Sequence, residues 1–391
     1  MKQQNKQLPK GWKRTTLGKE IKIKYGKGLA ERNRNNNGKI PVYGSAGKIG
    51  FHDKSLVNFP TVIVARKGSI GNNFIVKESC WAIDTVYYLE DVKLNLDYLY
   101  YYLNFSVFKD TSTAVPSLRR EDLEAIKINY PKSFQEQQLI VSTIETQFTR
   151  LDAAVKSLKV VKEKLGIYRK AVLKKAFEGK PLKPLQDFCE NVKKDIVDGP
   201  FGSDLQRKDY LTEGIPVLKI QNVKPFSIIL KKMDYISDKK YEELKRHSFK
   251  SGDIVMTKLG EPLGISAIIP NDIKEGVIVA DLVRIRANKI NKRYLCYVLN
   301  SPHISHFINS KQKGTTRARV KLSIIRDLLI PYVSEKDQTT IVSSIESKFS
   351  VIDKVEEVVN QSLIKAETLR KSILKSAFEG RLVKMENKLK S

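Results

Sequence analysis

Residues 137–179 read QQLIVSTIETQFTRLDAAVKSLKVVKEKLGIYRKAVLKKAFEG, and residues 338–380 read QTTIVSSIESKFSVIDKVEEVVNQSLIKAETLRKSILKSAFEG. The two stretches align without a gap at an offset of about 201 residues, with roughly seventeen identities in about 43 positions, which marks an internal repeat. Ile140-Val141-Ser142 returns as Ile341-Val342-Ser343, Phe148 as Phe349, Asp152 as Asp353, Arg169-Lys170 as Arg370-Lys371, and Ala176-Phe177-Glu178-Gly179 as Ala377-Phe378-Glu379-Gly380. Both copies carry helix signals at their ends. Ser133 with Glu136, and Ser334 with Asp337, put a hydroxyl acceptor and a carboxylate where the first unpaired amides need them. Gly179 and Gly380 stand where a left-handed residue ends the last turn, after lysines that suit the negative end of the helix dipole.

Between those ends an apolar residue recurs every seven positions: Ile144, Leu151, Leu158, Leu165 and Val172 in the first copy, Ile345, Ile352, Val359, Ala366 and Ile373 in the second. This is a coiled-coil seam, interrupted where Lys162, Arg169, Glu356 and Arg370 occupy places of a second apolar row. A helix of roughly 44 residues is about 66 Å long. So long a helix with one apolar stripe needs a partner. The other copy in the same chain is the expected one, and a second molecule is the alternative.

The segments before each helix follow a different grammar. Short apolar runs such as Pro41-Val42-Tyr43, Thr61-Val62-Ile63-Val64, Ile215–Ile220, Asp253–Met256 and Val277–Val279 are bounded by Gly, Pro, Asn and Asp, as turn-linked strands are. Helical patches fall near Leu96–Leu103, Tyr241–Arg246 and Tyr294–Asn300. The chain therefore reads globule, helix, globule, helix.

Charge narrows the partners. The 71 Lys and Arg against 43 Asp and Glu leave +28, an excess that gathers polyanions; composition alone does not separate nucleic acid from a merely lysine-rich surface. Cys80, Cys189 and Cys296 lack the paired spacing of a zinc or redox motif and read as buried thiols of a reducing cytoplasm. The N-terminal residues Met1-Lys2-Gln3-Gln4-Asn5-Lys6 lead to Pro9 and Gly11 rather than to an apolar run, so neither a signal peptide nor a membrane span is expected.

Three groups of residues carry a resemblance to a known family. The first globule holds Leu8-Pro9-Lys10-Gly11-Trp12-Lys13, then Ile40–Gly50 (IPVYGSAGKIG) and Arg66–Gly71 (RKGSIG). The second holds Asp198-Gly199-Pro200-Phe201-Gly202-Ser203, Tyr210, Gly214–Val217 and Gly314-Thr315-Thr316-Arg317. The helical repeats ending Ala-Phe-Glu-Gly are the third and most specific group. In these the chain resembles, along nearly its full length, the specificity subunit of type I restriction–modification enzymes.

The resemblance implies an α+β fold: two α/β target-recognition globules separated by two long antiparallel coiled-coil helices, with a pseudo-two-fold internal repeat. It places an N-terminal target-recognition domain at 1–132, the first helix at 133–180, a C-terminal target-recognition domain at 181–333 and the second helix at 334–385. It further implies a cytoplasmic, non-catalytic subunit without a cofactor. Its partners would be double-stranded DNA, two methyltransferase subunits and restriction/translocase subunits, with no membrane. Rods of about 66 Å can hold two readers roughly two DNA turns apart. The two globules are unlike in sequence, so the two half-sites should differ.

Base edges are reached by a few Arg, Lys, Asn, Gln or Ser side chains, while most other contacts go to phosphates. The candidates in the first globule are Lys27, Arg32, Arg34, Arg66, Lys67, Ser69, Arg119 and Arg120. In the second they are Ser203, Arg207, Gln221, Asn222, Lys258, Lys311, Lys313, Thr316, Arg317 and Arg319; Gly314 allows close backbone approach within the Lys311–Arg319 cluster. Any one of them can equally be a solvated surface charge.

Other features have plainer readings. Gly44–Gly50 lacks the Lys-Ser/Thr ending of a phosphate-binding loop and fits a tight turn between strands. Trp12 and Trp81 read as core residues, with base stacking as the alternative. His303 and His306 share a helix face without a third metal ligand. Nowhere does a Walker loop, an Asn-Pro-Pro-Tyr-like motif or a glycine-rich cofactor loop occur. The alternatives to a DNA-reading adaptor are a non-catalytic coiled-coil scaffold whose basic charge is incidental, separable by salt- and sequence-dependent duplex binding, and an enzyme with an unrecognised nuclease centre, separable by magnesium-dependent cleavage.

Overall fold

The computed structural model describes residues 8–35, 37–108, 116–260, 263–312 and 318–383. Its contacts form two units, one of residues 1–159 with 360–391 and one of residues 160–359. Each unit thus joins one globule to a share of both long helices.

In the first unit the turn-bounded apolar runs become β1 (Trp12–Thr16), β2 (Lys22–Tyr25), β3 (Ile40–Gly44), β4 (Gly47–His52), β5 (Thr61–Ala65), β6 (Asn73–Val76), β7 (Trp81–Ala82), β8 (Val86–Glu90) and β9 (Lys127–Pro131). β1 and β9 form an antiparallel ribbon, β2-β8-β5-β6 form an antiparallel sheet, and β4-β3-β7 form a smaller sheet in which β3 and β7 run parallel. β5 is buried at every position, which is why its run has no polar alternation. The tight turn expected within 44–50 is the β3–β4 hairpin. Helix α1 (Leu96–Phe105) begins at Asn95, whose side chain accepts from Tyr98 N at 2.9 Å, and it buries Tyr98, Leu99, Tyr102 and Leu103. The short α2 (Arg120–Glu124) precedes β9, and α3 spans Phe134–Phe177.

The second unit repeats this plan with additions. Its elements are β10 (Leu182–Pro184), α4 (Val192–Asp195), β11 (Ile196–Asp198), β12 (Ile215–Leu218), the hairpin β13 (Val223–Lys224) and β14 (Ser227–Ile228), β15 (Asp234–Ile236), α5 (Asp238–Glu243), β16 (Ser248–Lys250), β17 (Ile254–Thr257), β18 (Ser266–Ile268), β19 (Glu275–Ile278), β20 (Leu282–Ile285), α6 (Lys292–Leu299), α7 (Pro302–Lys311), α8 (Leu322–Arg326), β21 (Leu329–Pro331) and α9 (Glu335–Phe378). The β10–β21 ribbon matches β1–β9, and β11-β20-β17-β18 matches β2-β8-β5-β6 strand for strand. The parallel pair β12–β19 matches β3–β7, flanked by β15 and β16. Globules unlike in sequence therefore share one framework. Two local expectations shift: the helix near Tyr241–Arg246 is α5 followed by a 3-10 turn at Lys245–His247, and the run Ile215–Ile220 leaves the strand after Leu218.

In each unit the long helices lie antiparallel. Ile140, Val141 and Ile144 of α3 share the first core with Ile373, Leu374, Ala377 and Phe378 of α9, while Asp152, further along α3, meets Arg370, earlier in α9. In the second unit Val172, Leu173 and Phe177 share a core with Val342, Ile345, Phe349 and Ile352, and Arg169 meets Asp353 and Glu356. Of the seam residues, Ile144, Val172, Ile345, Ile352, Val359, Ala366 and Ile373 are buried, and Leu151, Leu158 and Leu165 are half-buried. The charged residues that interrupt the seam are thus partly accounted for by ion pairs across the helices.

Both helix starts are tied to their globules by a glutamine. Gln137 accepts from Asn95 N at 2.7 Å and donates to the Pro131 carbonyl at 2.8 Å. Gln338 does the same with Asn291 N at 2.9 Å and the Val333 carbonyl at 2.9 Å. Both amides are buried. Ser133 and Ser334 accept from Glu136 N and Asp337 N as the capping pattern requires. Glu136, however, receives the Trp12 indole N–H at 3.0 Å instead of turning back to the cap.

Candidate nucleic-acid interface

In the first unit the exits of several strands converge because backbone hydrogen bonds hold them there. Leu118 N donates to the Arg66 carbonyl at 2.8 Å and Gly68 N to the Pro116 carbonyl at 2.9 Å, so the loop after β5 runs beside the segment before α2. Asn72 donates to the Ser45 carbonyl at 3.2 Å, joining that loop to the β3–β4 turn. Lys27 N donates to the Ala82 carbonyl, and the Trp81 indole donates back to the Lys27 carbonyl at 2.9 Å. Lys27, Arg66, Lys67 and Ser69 are thereby gathered, together with the acidic Asp84.

Arg66 is the most constrained of them. Its Nη1 donates to the Asp84 carbonyl at 2.8 Å, and its guanidinium carbon lies 5.1 Å and 5.4 Å from the ring centroids of Tyr25 and Tyr87. Tyr87 in turn donates to the Leu118 carbonyl at 3.1 Å. The Nε of Arg66 has no protein partner among the described residues. A planar donor fork fixed on two rings has lost little further freedom to give up when it meets an acceptor.

The second unit places its own loop on the same scaffold. Val320 N donates to the Lys258 carbonyl at 2.9 Å and Gly260 N to the Ala318 carbonyl at 2.8 Å; Leu259 and Arg319 form an isolated bridge, as Lys67 and Ser117 do in the first unit. Hence Lys258 stands where Arg66 stands, Leu259 where Lys67 stands, and Arg319 where Ser117 stands. Lys258 is neutralised: its Nζ donates to Asp198 Oδ2 at 2.6 Å. The carbonyl of Asp198 meets His247 Nδ1 at 2.6 Å, which pins the exit of β11. Gln221 is exposed beside this loop, where Ile220 lies under Gly260.

The remaining candidates are scattered. Arg32 is exposed, and Arg34 is half-buried against β4 with Nη1 donating to the Ile49 carbonyl at 3.3 Å. Arg119 and Arg120 pair with Asp122 and Glu124 on their own helix, exposed contacts that a phosphate can displace. Ser203 and Arg207 are exposed after β11, and Lys311 is exposed at the end of α7. Asn222 is corrected: it is 1% exposed, accepts from Lys219 N and donates to the Ile229 carbonyl, so it shapes a turn and has no face left for a base. Lys313, Thr316 and Arg317 lie outside the described residues. Sequence reasoning missed Tyr25, Tyr87, Asp198 and His247, because nothing local marks a ring or carboxylate that a distant arginine or lysine will meet.

Two copies of one mixed framework, each seated on shares of two repeated helices and each ending in a differently furnished basic loop, define the class: a tandem-globule coiled-coil subunit. The family model described as type I restriction modification DNA specificity domain matches residues 9–162. Over 407 aligned residues the chain is 24% identical to the type I restriction enzyme EcoDI specificity subunit of Escherichia coli, covering 96% of this chain and 89% of that one. A solved chain from the assembly of a type I R-M system is similar at TM-score 0.75 and 14% identity, over 96% of this chain and 100% of that one. The HsdS subunit of Thermoanaerobacter tengcongensis is similar at TM-score 0.55 and 15% identity, over 97% and 100%. In its first globule and along most of its length the chain is thus similar to the specificity subunits of type I restriction–modification enzymes. No helix among the described residues is long and apolar enough to cross a membrane.

Proposed function

We infer that this chain is the DNA-reading, non-catalytic specificity subunit of a type I restriction–modification enzyme and acts in the cytoplasm. Its target-recognition domains, 1–132 and 181–333, each read one half of a split, asymmetric duplex target. The segments 133–180 and 334–385, which carry α3 and α9, set the gap between the halves and dock two methyltransferase subunits, to which restriction/translocase subunits add. Catalysis and cofactors belong to those partners.

One observation carries this reading. Equivalent backbone positions carry unlike side chains in the two globules: Arg66 against Lys258, Lys67 against Leu259, Ser117 against Arg319. A common framework with exchanged donors is what reading two different half-sites requires, because base edges differ in their donor and acceptor pattern. The net charge of +28 supplies the phosphate attraction that reading needs. Sequencing the methylome of a host that carries this chain with its cognate methyltransferase tests the reading. A motif of two unlike halves around an unread gap is the expected result; a contiguous motif, or none, overturns it.

A further inference from the structure

Phe201 is 79% exposed, more than any other aromatic side chain among the described residues. Hydration of a bare ring is unfavourable, and a pliable loop would fold it in. Here the backbone forbids that. Gly199 is pressed on the segment before β20 so tightly that an added Cβ would lie 2.1 Å from the Val279 carbonyl carbon, and Pro200 beside it is buried. On the other side the Phe201 carbonyl accepts from Asp204 N at 3.0 Å and Leu205 N at 3.4 Å, and Leu205 is sunk into a core with Val217, Ile236, Tyr241, Leu244 and Val277. The ring is held out from a turn anchored at both ends.

Its surroundings favour a polyanion. Arg207 and Lys208 are exposed on the next turn, and neither meets a carboxylate among the described residues. Of the nearby acids, Asp198 is paired with Lys258 at 2.6 Å and Asp209 lies 3.9 Å from Lys240, while Asp204 takes the Ser203 hydroxyl at 3.1 Å and keeps its charge, which Arg207 and Lys208 outnumber. The first globule has the same pressed glycine, Gly26, whose Cβ would lie 2.0 Å from the Ile83 carbonyl oxygen, but Lys27 and Gly28 follow it where Pro200 and Phe201 follow Gly199.

We propose that Phe201 is an apolar wedge that enters a base-pair step of the half-site read by the second globule. This rests on the DNA-reading function above and adds to it a second mode of selection. A side chain that parts a stack discriminates by how easily that step unstacks, which hydrogen-bond donors do not sense.

The test uses the full chain assembled with its methyltransferase subunits and duplexes of the methylated motif, with 2-aminopurine placed in turn at each position of both halves. Apart from the bases that the methyltransferase subunits extrude in both halves, which Phe201 does not affect, binding should raise the fluorescence several-fold at one step in one half only. Phe201→Trp should keep that signal. Phe201→Ala should abolish it and weaken binding about ten-fold or more, while the dependence of affinity on salt, set by phosphate contacts, stays the same. Specific binding with no fluorescence rise at any position beyond the extruded bases, or an unchanged signal and affinity in Phe201→Ala, overturns the wedge and leaves the DNA-reading function standing. Binding without sequence preference overturns both.

Discussion

Arg370 lies over the ring of Phe148, 4.2 Å from its centroid, and donates to Asp152 one turn along. Arg169 makes the same pair of contacts with Phe349, at 5.2 Å, and Asp353. Each arginine of one repeat copy therefore grips the aromatic and the acid of the other copy. The carboxylates are more than half exposed, so the ion pairs are weak and the stacked guanidinium contributes more. Arg370→Ala should cost about 1 kcal/mol and Asp152→Ala less, with thermal unfolding as the measurement. Arg370→Lys keeps the charge and should recover less than half of the loss. A full recovery by lysine would assign the clasp to charge alone.

The glutamine at each helix start should matter more than either arginine. Replacing Gln137 by leucine leaves the Asn95 amide and the Pro131 carbonyl without their partner in a buried place. Stranding two such groups costs about 3 kcal/mol. Gln338→Leu should cost a similar amount through Asn291 and Val333. Hydrogen exchange checks the origin of the loss: in Gln137→Leu the amides of α1 should lose protection first, and in Gln338→Leu those of α6. Uniform loss over the chain would speak against local anchoring.

How much of this was legible depended on whether the determinant was local. The rods were, because heptads, Ser-led starts and glycine stops repeat within one helix; the structure has them at Phe134–Phe177 and Glu335–Phe378, inside the expected segments 133–180 and 334–385. The shared strand order of the globules was not, because β2 meets β8 and β11 meets β20 across long intervening chain, and the two sets of side chains differ. Lys27, Arg66, Lys67 and Ser69 stand out in the sequence as basic or polar loop residues, yet their convergence comes from carbonyl bonds such as Gly68 to Pro116, which side-chain identity does not announce. Asn222 shows the reverse: a polar residue in a loop reads as outward, yet its amide closes a turn between Lys219 and Ile229.

Alkali should unfold the protein through its tyrosines. Burial first, then neighbouring charge such as Glu145 beside Tyr101 and Glu346 beside Tyr297, pushes both hydroxyls up to about 12. Burial pushes Tyr294 to about 12 as well. A phenol whose folded pKa exceeds its unfolded value near 10 binds its proton more tightly when folded. Its contribution is intact below pH about 10 and is lost as the pH climbs towards 12. The phenolate absorbance of these residues should therefore rise together with loss of helical circular dichroism above pH about 10. Early titration at pH about 10 with the fold intact would contradict their burial. The thiols give a companion check: burial lifts Cys80 and Cys189 to about 11 and Cys296 to about 12, so none should react with a disulfide reagent near neutral pH until the protein is unfolded.

Arg66 offers a direct probe of the proposed DNA-reading role of the loop after β5. Its guanidinium packs against the Tyr25–Tyr87 pair, 5.1 Å and 5.4 Å from the two ring centroids, and is bonded to the Asp84 carbonyl, so a lysine there cannot keep the planar fork in place. Arg66→Lys in the assembled methyltransferase should weaken discrimination at one half of the target by about 1–3 kcal/mol, as loss of a bidentate base contact does. The other half should still be read with its original preference. If Arg66→Lys lowered affinity for every sequence alike, Arg66 would be a phosphate contact instead.

Gly179 and Gly380 close the two helices with nearly the same left-handed backbone, φ 71° and 70°. Their surroundings differ. A Cβ at Gly179 meets nothing within 4 Å, whereas at Gly380 it would lie 2.4 Å from Pro9 Cγ and 3.1 Å from Trp12 Cζ2. Trp12 cannot simply swing away, since it is buried and its indole is bonded to Glu136 at the start of α3. Gly179→Ala should therefore cost only the backbone penalty, about 1–2 kcal/mol. Gly380→Ala should add roughly another 1–3 kcal/mol of overpacking and shift the fluorescence of Trp12, which Gly179→Ala should leave alone. Equal costs for the two substitutions, with no change in tryptophan emission, would mean that the end of α9 does not hold the first residues of the globule against the start of α3.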